Sequence, residues 1–369
     1  MANNSFGTLF RITTWGESHG KAIGVVIDGC PAGLPISDEE INAELKHRQG
    51  GKTPYVTPRG EPDEAQLLSG VFEGKTTGAP ISIIIYNRDA DSSKYEPIKG
   101  LLRPGHANFT YLEKYGIFDY RGGGRSSARE TACRVAAGAV AKKLLAHFHI
   151  QVVAFIKEIG GIAVAEQSYS SATELRKSAY ASPLFCPDAQ AEKKMITALE
   201  QAKNDGDSLG GIIETVAFSL PIGLGDPVYE KLEANLAKAM LSLPATKGFE
   251  IGSGFSAARM KGSEHNDQFI LDDKGNVSTA TNYAGGTLGG ISTGLPLIAR
   301  VAFKPTSSIQ KPQKTVSTEK EVKEFKLPEG SRHDPCVTIR AVPIIEAMTA
   351  LVLADALLMN RSAKLDADG

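Results

Sequence analysis

The stretch at residues 101–134, LLRPGHANFTYLEKYGIFDYRGGGRSSARETACR, gathers the residue types that anion chemistry needs. It carries five arginines, a histidine between glycine and alanine (His106), and three consecutive glycines at 122–124. Arg121, Arg125 and Arg129 recur every four residues around those glycines. Ser127 and Glu130 have the S-x-x-E spacing of a capping box and predict a helix starting there. A helix N-terminus offers unpaired N–H donors and partial positive charge, which suits a phosphate. Arginine adds planar, bidentate donors. A capped surface helix with solvated arginines is the plain alternative. Against it, three glycines in a row cost backbone entropy unless something must approach the chain closely. The segment does not fit G-x-x-x-x-G-K-[ST], which disfavours a P-loop.

His19, in GESHG, and His106 both have small neighbours that leave room for a ligand. A phosphate dianion beside either would raise its pKa from the ordinary value of about 6.5 and make it a proton donor at neutral pH. His333 in SRHDPC, between Arg332 and Asp334, is a third candidate; His47, His147, His149 and His265 read as structural. Further on, FKPTSSI supplies Lys304, the turn-former Pro305 and three hydroxyls, Thr306, Ser307 and Ser308. Lysine, clustered hydroxyls and backbone N–H groups can wrap a second phosphate, though a polar turn after a strand has the same composition. Two anion sites are therefore expected.

The elements that must position these residues mix strands and helices. Short β-branched runs predict strands at 23–28, 81–86, 151–156, 212–220, 295–303 and 336–342. Helices are expected from Ser127 onward, on either side of 183–188, in DPVYEKLEANLAKAMLSL, and in PIIEAMTALVLADALLMNR. In that last helix Pro343 suits the first helical position, and the nearly all-round apolarity predicts burial. Gly-Gly-Ile recurs at 160–162, 210–212 and 289–291, a hint of internal pseudo-duplication, although chance likeness among strand starts explains it equally well. No low-complexity linker divides the chain, so one α+β unit over 1–369 is expected. The polar segment 307–330 reads as a long loop over the site. It and 48–60 are expected to order on ligand binding.

Composition bounds the rest. A chain of 369 residues with 41% hydrophobic content builds a sizeable core, and its 38 glycines cluster in short runs. A net charge of -1 and a pI near 6.7 give no global pointer to nucleic acid or a membrane. The N-terminus has no secretory pattern and no apolar run reaches a membrane span, so a cytoplasmic protein is expected. Cys30, Cys133, Cys186 and Cys336 are far apart and read as free thiols, and no metal-ligand cluster is visible.

In order along the chain, TTWGESHG, RPGHANFTYLEKYG, DYRGGGRSSARETACRVAAGA, GGTLGGISTG, FKPTSSI and RHDPCVTIRAVPIIEAM resemble the signature segments of the chorismate synthase family. The resemblance implies a β-α-β sandwich with central helices between antiparallel sheets. It implies a carbon–oxygen lyase of the shikimate pathway that converts 5-enolpyruvylshikimate 3-phosphate to chorismate and phosphate, using reduced FMN without net redox change. The implied assembly is a homotetramer. Such a ligand set stacks several anions in one cleft. Like charges about 4 Å apart repel by roughly 4 kcal/mol at an effective dielectric near 20, so a cluster of arginines is a physical requirement.

By the same resemblance, His19 protonates the departing phosphate, His106 sits by the flavin, and Asp334 assists removal of the ring hydrogen. Ser18 and Ser127 tune that proton traffic. FMN is expected to contact Arg125, Ser126, Ser127, Ala245, Gly289, Lys304, Pro305, Thr306, Ser307, Ser308 and Arg332; Arg48, Arg129, Arg134 and Arg340 are expected to hold the substrate. One departure is Pro54, where relatives often have a second arginine thought to contact a nicotinamide nucleotide (NADP); Lys52 or Arg59 could supply charge instead. No dinucleotide fingerprint joins a strand to a helix, so an external reductant for the flavin is expected. The alternative function is a flavin- or phosphate-binding protein without lyase activity.

Overall fold

The computed structural model describes residues 3–51, 53–57, 60–166, 169, 171–328, 331 and 334–365. Lys52, Arg59, Arg332 and His333 lie outside the described residues. The first sheet is antiparallel, in the order β1-β2-β3-β7-β4: β1 (Ser5–Phe6), β2 (Arg11–Gly16), β3 (Ala22–Asp28), β4 (Ala65–Leu67) and β7 (Ile81–Tyr86). A small hairpin of β5 (Val71–Phe72) and β6 (Lys75–Thr76) intervenes before β7. Alternation decides which face is buried. Ile81, Ile83 and Ile85 of β7 point into the core, as do Ile12 and Thr14 of β2, while Arg11, Thr13 and Trp15 point out.

The second sheet is also antiparallel and runs β11-β16-β10-β8-β9. Its strands are β8 (Gln151–Ile159), β9 (Ile162–Ala163), β10 (Gly211–Phe218), β11 (Thr246–Ile251) and β16 (Leu297–Phe303). Three hairpins decorate it: β12 (Phe269–Leu271) with β13 (Val277–Thr279), β14 (Thr287–Leu288) with β15 (Ile291–Ser292), and β17 (Gln313–Val316) with β18 (Val322–Phe325). Strands β8 and β10 are buried on both faces, which is why they read as unbroken apolar runs. One face packs on central helices. The other packs Val153, Phe155, Val216 and Phe218 on α4 (Ala172–Ala181).

Between the sheets lie α1 (Asp38–Arg48), α3 (Thr131–His147) and α8 (Val337–Asn360). Helix α3 packs on β2, β3 and β7, α8 packs on β8 and β10, and both pack on each other. Gly138 is the point of closest approach. A Cβ there would stand 2.3 Å from the Cβ of Ala347, so only glycine lets the two backbones meet. The remaining helices are α2 (Asn108–Tyr115), α5 (Ala189–Asn204), α6 (Leu232–Leu241) and the short α7 (Gly262–His265). One continuous apolar cluster runs from Phe10 to Leu357. Helix α8 is long and apolar enough to cross a membrane, yet 78% of its apolar window is buried inside the protein.

Three expectations change. The run at 336–342 is the N-cap and first turns of α8 and not a strand, because packing of the helix in the core overrides the β-branched preference of Val337, Thr338 and Ile339. Pro343 accordingly lies inside α8. Ser127 caps a short 3₁₀ turn, Ala128–Glu130, by accepting from Arg129 N at 3.3 Å, and the α-helix proper begins at Thr131. Glu130 does not close the capping box. Its carboxylate takes Thr14 Oγ1 at 2.7 Å and Arg134 Nε at 2.9 Å instead. Finally, 307–330 contains the β17–β18 hairpin, which is tied to 98–101 through Ile98, Phe325 and Leu327. The three Gly-Gly-Ile triplets fall at the β8–β9 turn, the entry to β10 and the β14–β15 turn, three different settings.

Candidate active site

The glycine run is shaped by two histidine rings. All three glycines have positive φ (67°, 94° and 54°), which L side chains rarely adopt. A Cβ on Gly122 would stand 2.4 Å from Cδ2 of His19 and 2.6 Å from Oγ of Ser18; one on Gly123 would stand 3.1 Å from the His106 ring. The absent side chains are thus the space that His19 and His106 fill. The Nδ1 of His19 shares a hydrogen bond with Ser92 Oγ at 2.9 Å, which turns Nε2 toward Gly122. Its ring packs edge-on against Tyr95. Arg121, just before the run, pairs with Asp119 on the surface.

Beside this turn is a cavity of about 810 Å³, large enough for a cofactor and a small substrate together. Six arginines and two lysines line it, Arg48, Arg103, Arg125, Arg129, Arg134, Arg340, Lys238 and Lys304, against four carboxylates, Glu61, Asp63, Glu130 and Asp334. The formal excess of positive charge invites polyanions.

The carboxylates have work of their own. Asp63, 2% exposed, accepts from Arg48 Nη1 at 3.0 Å through one oxygen and from Arg129 Nη1 through the other. Burial works to raise its carboxyl, but Arg48 and Arg129 outweigh it and hold the group below its ordinary range. Burial likewise pulls the Arg48 guanidinium down to about 10 despite Asp63. Arg48 spends its other nitrogens on Thr131 Oγ1 (3.0 Å) and Ala128 O (2.7 Å). Arg129 differs. Its Nε donates to Asn87 Oδ1 at 2.8 Å, while Nη2 is buried without an acceptor. Asn87 in turn donates to Glu17 O and Gly20 O, tying Arg129 to the loop that carries Ser18 and His19. Asp334 accepts from Thr57 N at 2.8 Å and Arg340 Nη1 at 3.2 Å. Arg125 donates to Thr14 O at 2.7 Å, and Arg134 bridges Glu130 and Ser242.

Lys304, Thr306, Ser307 and Ser308 also line the cavity, with Gly105 and Arg103 against them. Gly105 has φ 67°, and a Cβ there would stand 3.0 Å from that of Ser307. Arg103 lies over the Tyr95 ring and donates to Ser308 Oγ at 2.8 Å. Thr306 Oγ1 is buried with no acceptor. This part of the lining therefore also presents a buried hydroxyl with no partner among the described residues. Burial lowers the Lys304 ammonium from its ordinary value, and nearby Lys247 adds to that.

A family profile described as chorismate synthase matches residues 10–358. The chain belongs to the chorismate synthase family. It is 58% identical over 370 residues to the chorismate synthase of Protochlamydia amoebophila, covering 99% of this chain and 100% of that one. The Methanosarcina mazei enzyme is 53% identical over 361 residues, covering 98% and 97%. A crystal structure of a chorismate synthase superposes with a TM-score of 0.76 at 35% identity, covering 96% and 92%. The family carries a flavin requirement.

Against the chorismate synthase reading of the sequence, the cavity brings together His106, Asp334, Arg125, Ser126, Ser127, Ala245, Lys304, Thr306, Ser307, Ser308, Arg48, Arg129, Arg134 and Arg340. His19 and Ser18 stand immediately behind its Gly122 wall. Pro305 turns the chain between lining residues without lining the cavity itself. Gly289 does not line it: it sits exposed at the β14–β15 turn. Sequence reasoning missed Asp63, Arg103 and Lys238. Arg103 was within reach, three residues before His106 in the same motif. Asp63, in GEPDEA, has no local signal.

Proposed function

We propose that this chain acts as a single unit over 1–369 that converts 5-enolpyruvylshikimate 3-phosphate to chorismate and phosphate by 1,4-elimination, with reduced FMN bound. The observation that carries this reading is the juxtaposition of two proton-bearing rings with a cation-rich cavity whose buried donors, Arg129 Nη2 and Thr306 Oγ1, have no protein acceptor. Such donors are costly unless an anion meets them. Those donors fit the group the family requires: Arg125, Ser126, Ser127, Ala245 and the Lys304, Thr306, Ser307 and Ser308 wall would hold the flavin and its phosphate. When bound, reduced flavin supplies electron density as phosphate leaves and recovers it as the ring hydrogen is lost.

The protein's own groups do the positioning and proton movement. Arg129, Arg134 and Arg340 bind and neutralise the anionic substrate, with Arg48 bracing Arg129 through Asp63. His19 gives a proton from Nε2 to the departing phosphate, its other nitrogen being committed to Ser92. Ser18 and Ser127 support proton movement beside it. Asp334, fixed by Thr57 and Arg340, assists removal of the ring hydrogen. His106, packed on Gly123, would favour the anionic form of a reduced flavin. We further infer a cytoplasmic homotetramer supplied with reduced flavin by an external reductant. The free, buried cysteines suit a reducing compartment, and the exposed Phe255, Phe269 and Leu271 suit burial between subunits.

The test is an anaerobic assay with 5-enolpyruvylshikimate 3-phosphate and FMN, chemically reduced or left oxidised, following phosphate and chorismate together. Equal amounts of both, only with reduced flavin and from a particle of tetramer mass by light scattering, are expected. Saturable flavin binding without phosphate release would leave only a binding function.

A further inference from the structure

Within the cation cluster one carboxylate has an unusual setting. Asp63 adopts φ 47°, a left-handed backbone that costs a non-glycine residue free energy, and it is almost fully buried. Its two oxygens serve two different arginines. The first, Arg48, is itself fixed by Thr131 Oγ1 and Ala128 O, so every nitrogen of that guanidinium is engaged within the protein. The second, Arg129, is held at Nη1 by Asp63 and at Nε by Asn87, and only Nη2 has no acceptor. The order of connection runs one way, from an immobile arginine through a carboxylate to an arginine with one open donor in the cavity wall.

We propose that Asp63 is a positioning residue for substrate recognition. Braced by Arg48, it sets the plane of Arg129 so that Nη2 meets an anionic oxygen, phosphate or carboxylate, of the bound substrate. This rests on the proposed reaction for the identity of the substrate. It assigns Arg48 to the brace and Arg129 to the contact, where the sequence reading gave both to the substrate. An asparagine at 63 can accept from one arginine through its oxygen but presents donors to the other, so it cannot serve both.

The sign of the effect separates positioning from mere charge balance. If Asp63 only neutralised the cluster, its removal would strengthen the positive field and tighten anion binding. If it positions Arg129, its removal weakens binding. The experiment measures equilibrium binding of 5-enolpyruvylshikimate 3-phosphate and, separately, inorganic phosphate to the full chain and to Asp63→Asn, Asp63→Gly, Arg129→Gln and the Asp63→Gly/Arg129→Gln double variant. Glycine tolerates the left-handed backbone, so Asp63→Gly removes the carboxylate without backbone strain and guards against a misfolded asparagine variant. The expected result is about a ten- to hundredfold loss of affinity in each Asp63 variant, the size of a charged hydrogen bond, and no additional loss from Asp63→Gly in the Arg129→Gln background. Unchanged or tighter binding, or fully additive losses, would overturn the proposal. Weakening of phosphate binding alone, with no binding of the phosphorylated diacid by the parent chain, would uphold the role of Asp63 and sink the proposed substrate. Binding of neither ligand by the parent chain would sink both.

Discussion

At the scale of single residues, the site depends on side chains that are missing. Gly122 leaves room for His19, and a methyl group there would overlap the ring at 2.4 Å, while the same change at Gly123 meets His106 at 3.1 Å. Both positions carry the left-handed backbone penalty, so the difference between them reads the contacts with His19 and Ser18 at Gly122 against the looser contact with His106 at Gly123. Gly122→Ala is expected to lower kcat by about a hundredfold, the cost of displacing a proton donor by an ångström or so. Gly123→Ala is expected to lose less, and steady-state kinetics on the two variants checks the ranking. The residue types in GESHG and RGGGRSS made this legible beforehand, because histidines among small residues and a costly glycine run already demanded a reason. Asp63 was not legible. Its partners lie 15 and 66 residues away, and a lone acidic residue carries no trace of which arginines it will meet.

At the scale of elements, two of the cavity's arginines are aimed by central helices that touch at Gly138 and Ala347. Arg134 is one turn from that contact on α3, and Arg340 stands near the start of α8. Gly138→Ala forces a methyl group into Ala347 and is expected to cost about 1–3 kcal/mol by overpacking. A urea denaturation midpoint reads the loss, and the substrate KM should rise because both arginines shift with their helices. Periodicity found α3, α5 and α6 and the strands β3, β7, β8, β10 and β16, whose buried faces follow helix or strand spacing, but it passed over β2 and β11. It failed at 336–342, where the β-branched stretch is helical. A short, mostly apolar stretch offers little periodicity to read, and its local preference yields to the packing of α8 on β8 and β10.

At the scale of the whole molecule, stability depends on buried charge as well as on apolar contact. Glu346, fully buried in α8, binds Lys142, Arg176 and Tyr180. Burial works to raise its carboxyl, but the two cations prevail and hold it well below its ordinary 4.5. A folded-state pKa below the unfolded one contributes stability that is complete above about pH 4.5 and lost as pH falls toward the folded value. Asp63 has the same sign. Acid unfolding is therefore expected to steepen below about pH 4.5. Glu346→Gln is expected to flatten that slope and to cost about 1–3 kcal/mol at neutral pH by leaving Lys142 and Arg176 with Glu44 as their remaining counter-charge. Urea titrations between pH 3 and pH 7 on the two proteins check both.

The place of α8 in the chain sets when this molecule can fold. It is the last element, ending at Asn360, and it lies between the two sheets. Until it emerges from the ribosome, β8 and β10 of the second sheet lack the helix that covers one of their faces. Translation proceeds at about 5–20 residues per second, so a nascent chain carries these open apolar faces for on the order of tens of seconds. The growing polypeptide is thus a natural client for chaperones that cover exposed strands. A stop between residues 304 and 336 keeps both sheets but removes α8, so β8 and β10 lose the helix that covers them while α1 and α3 stay on the first sheet.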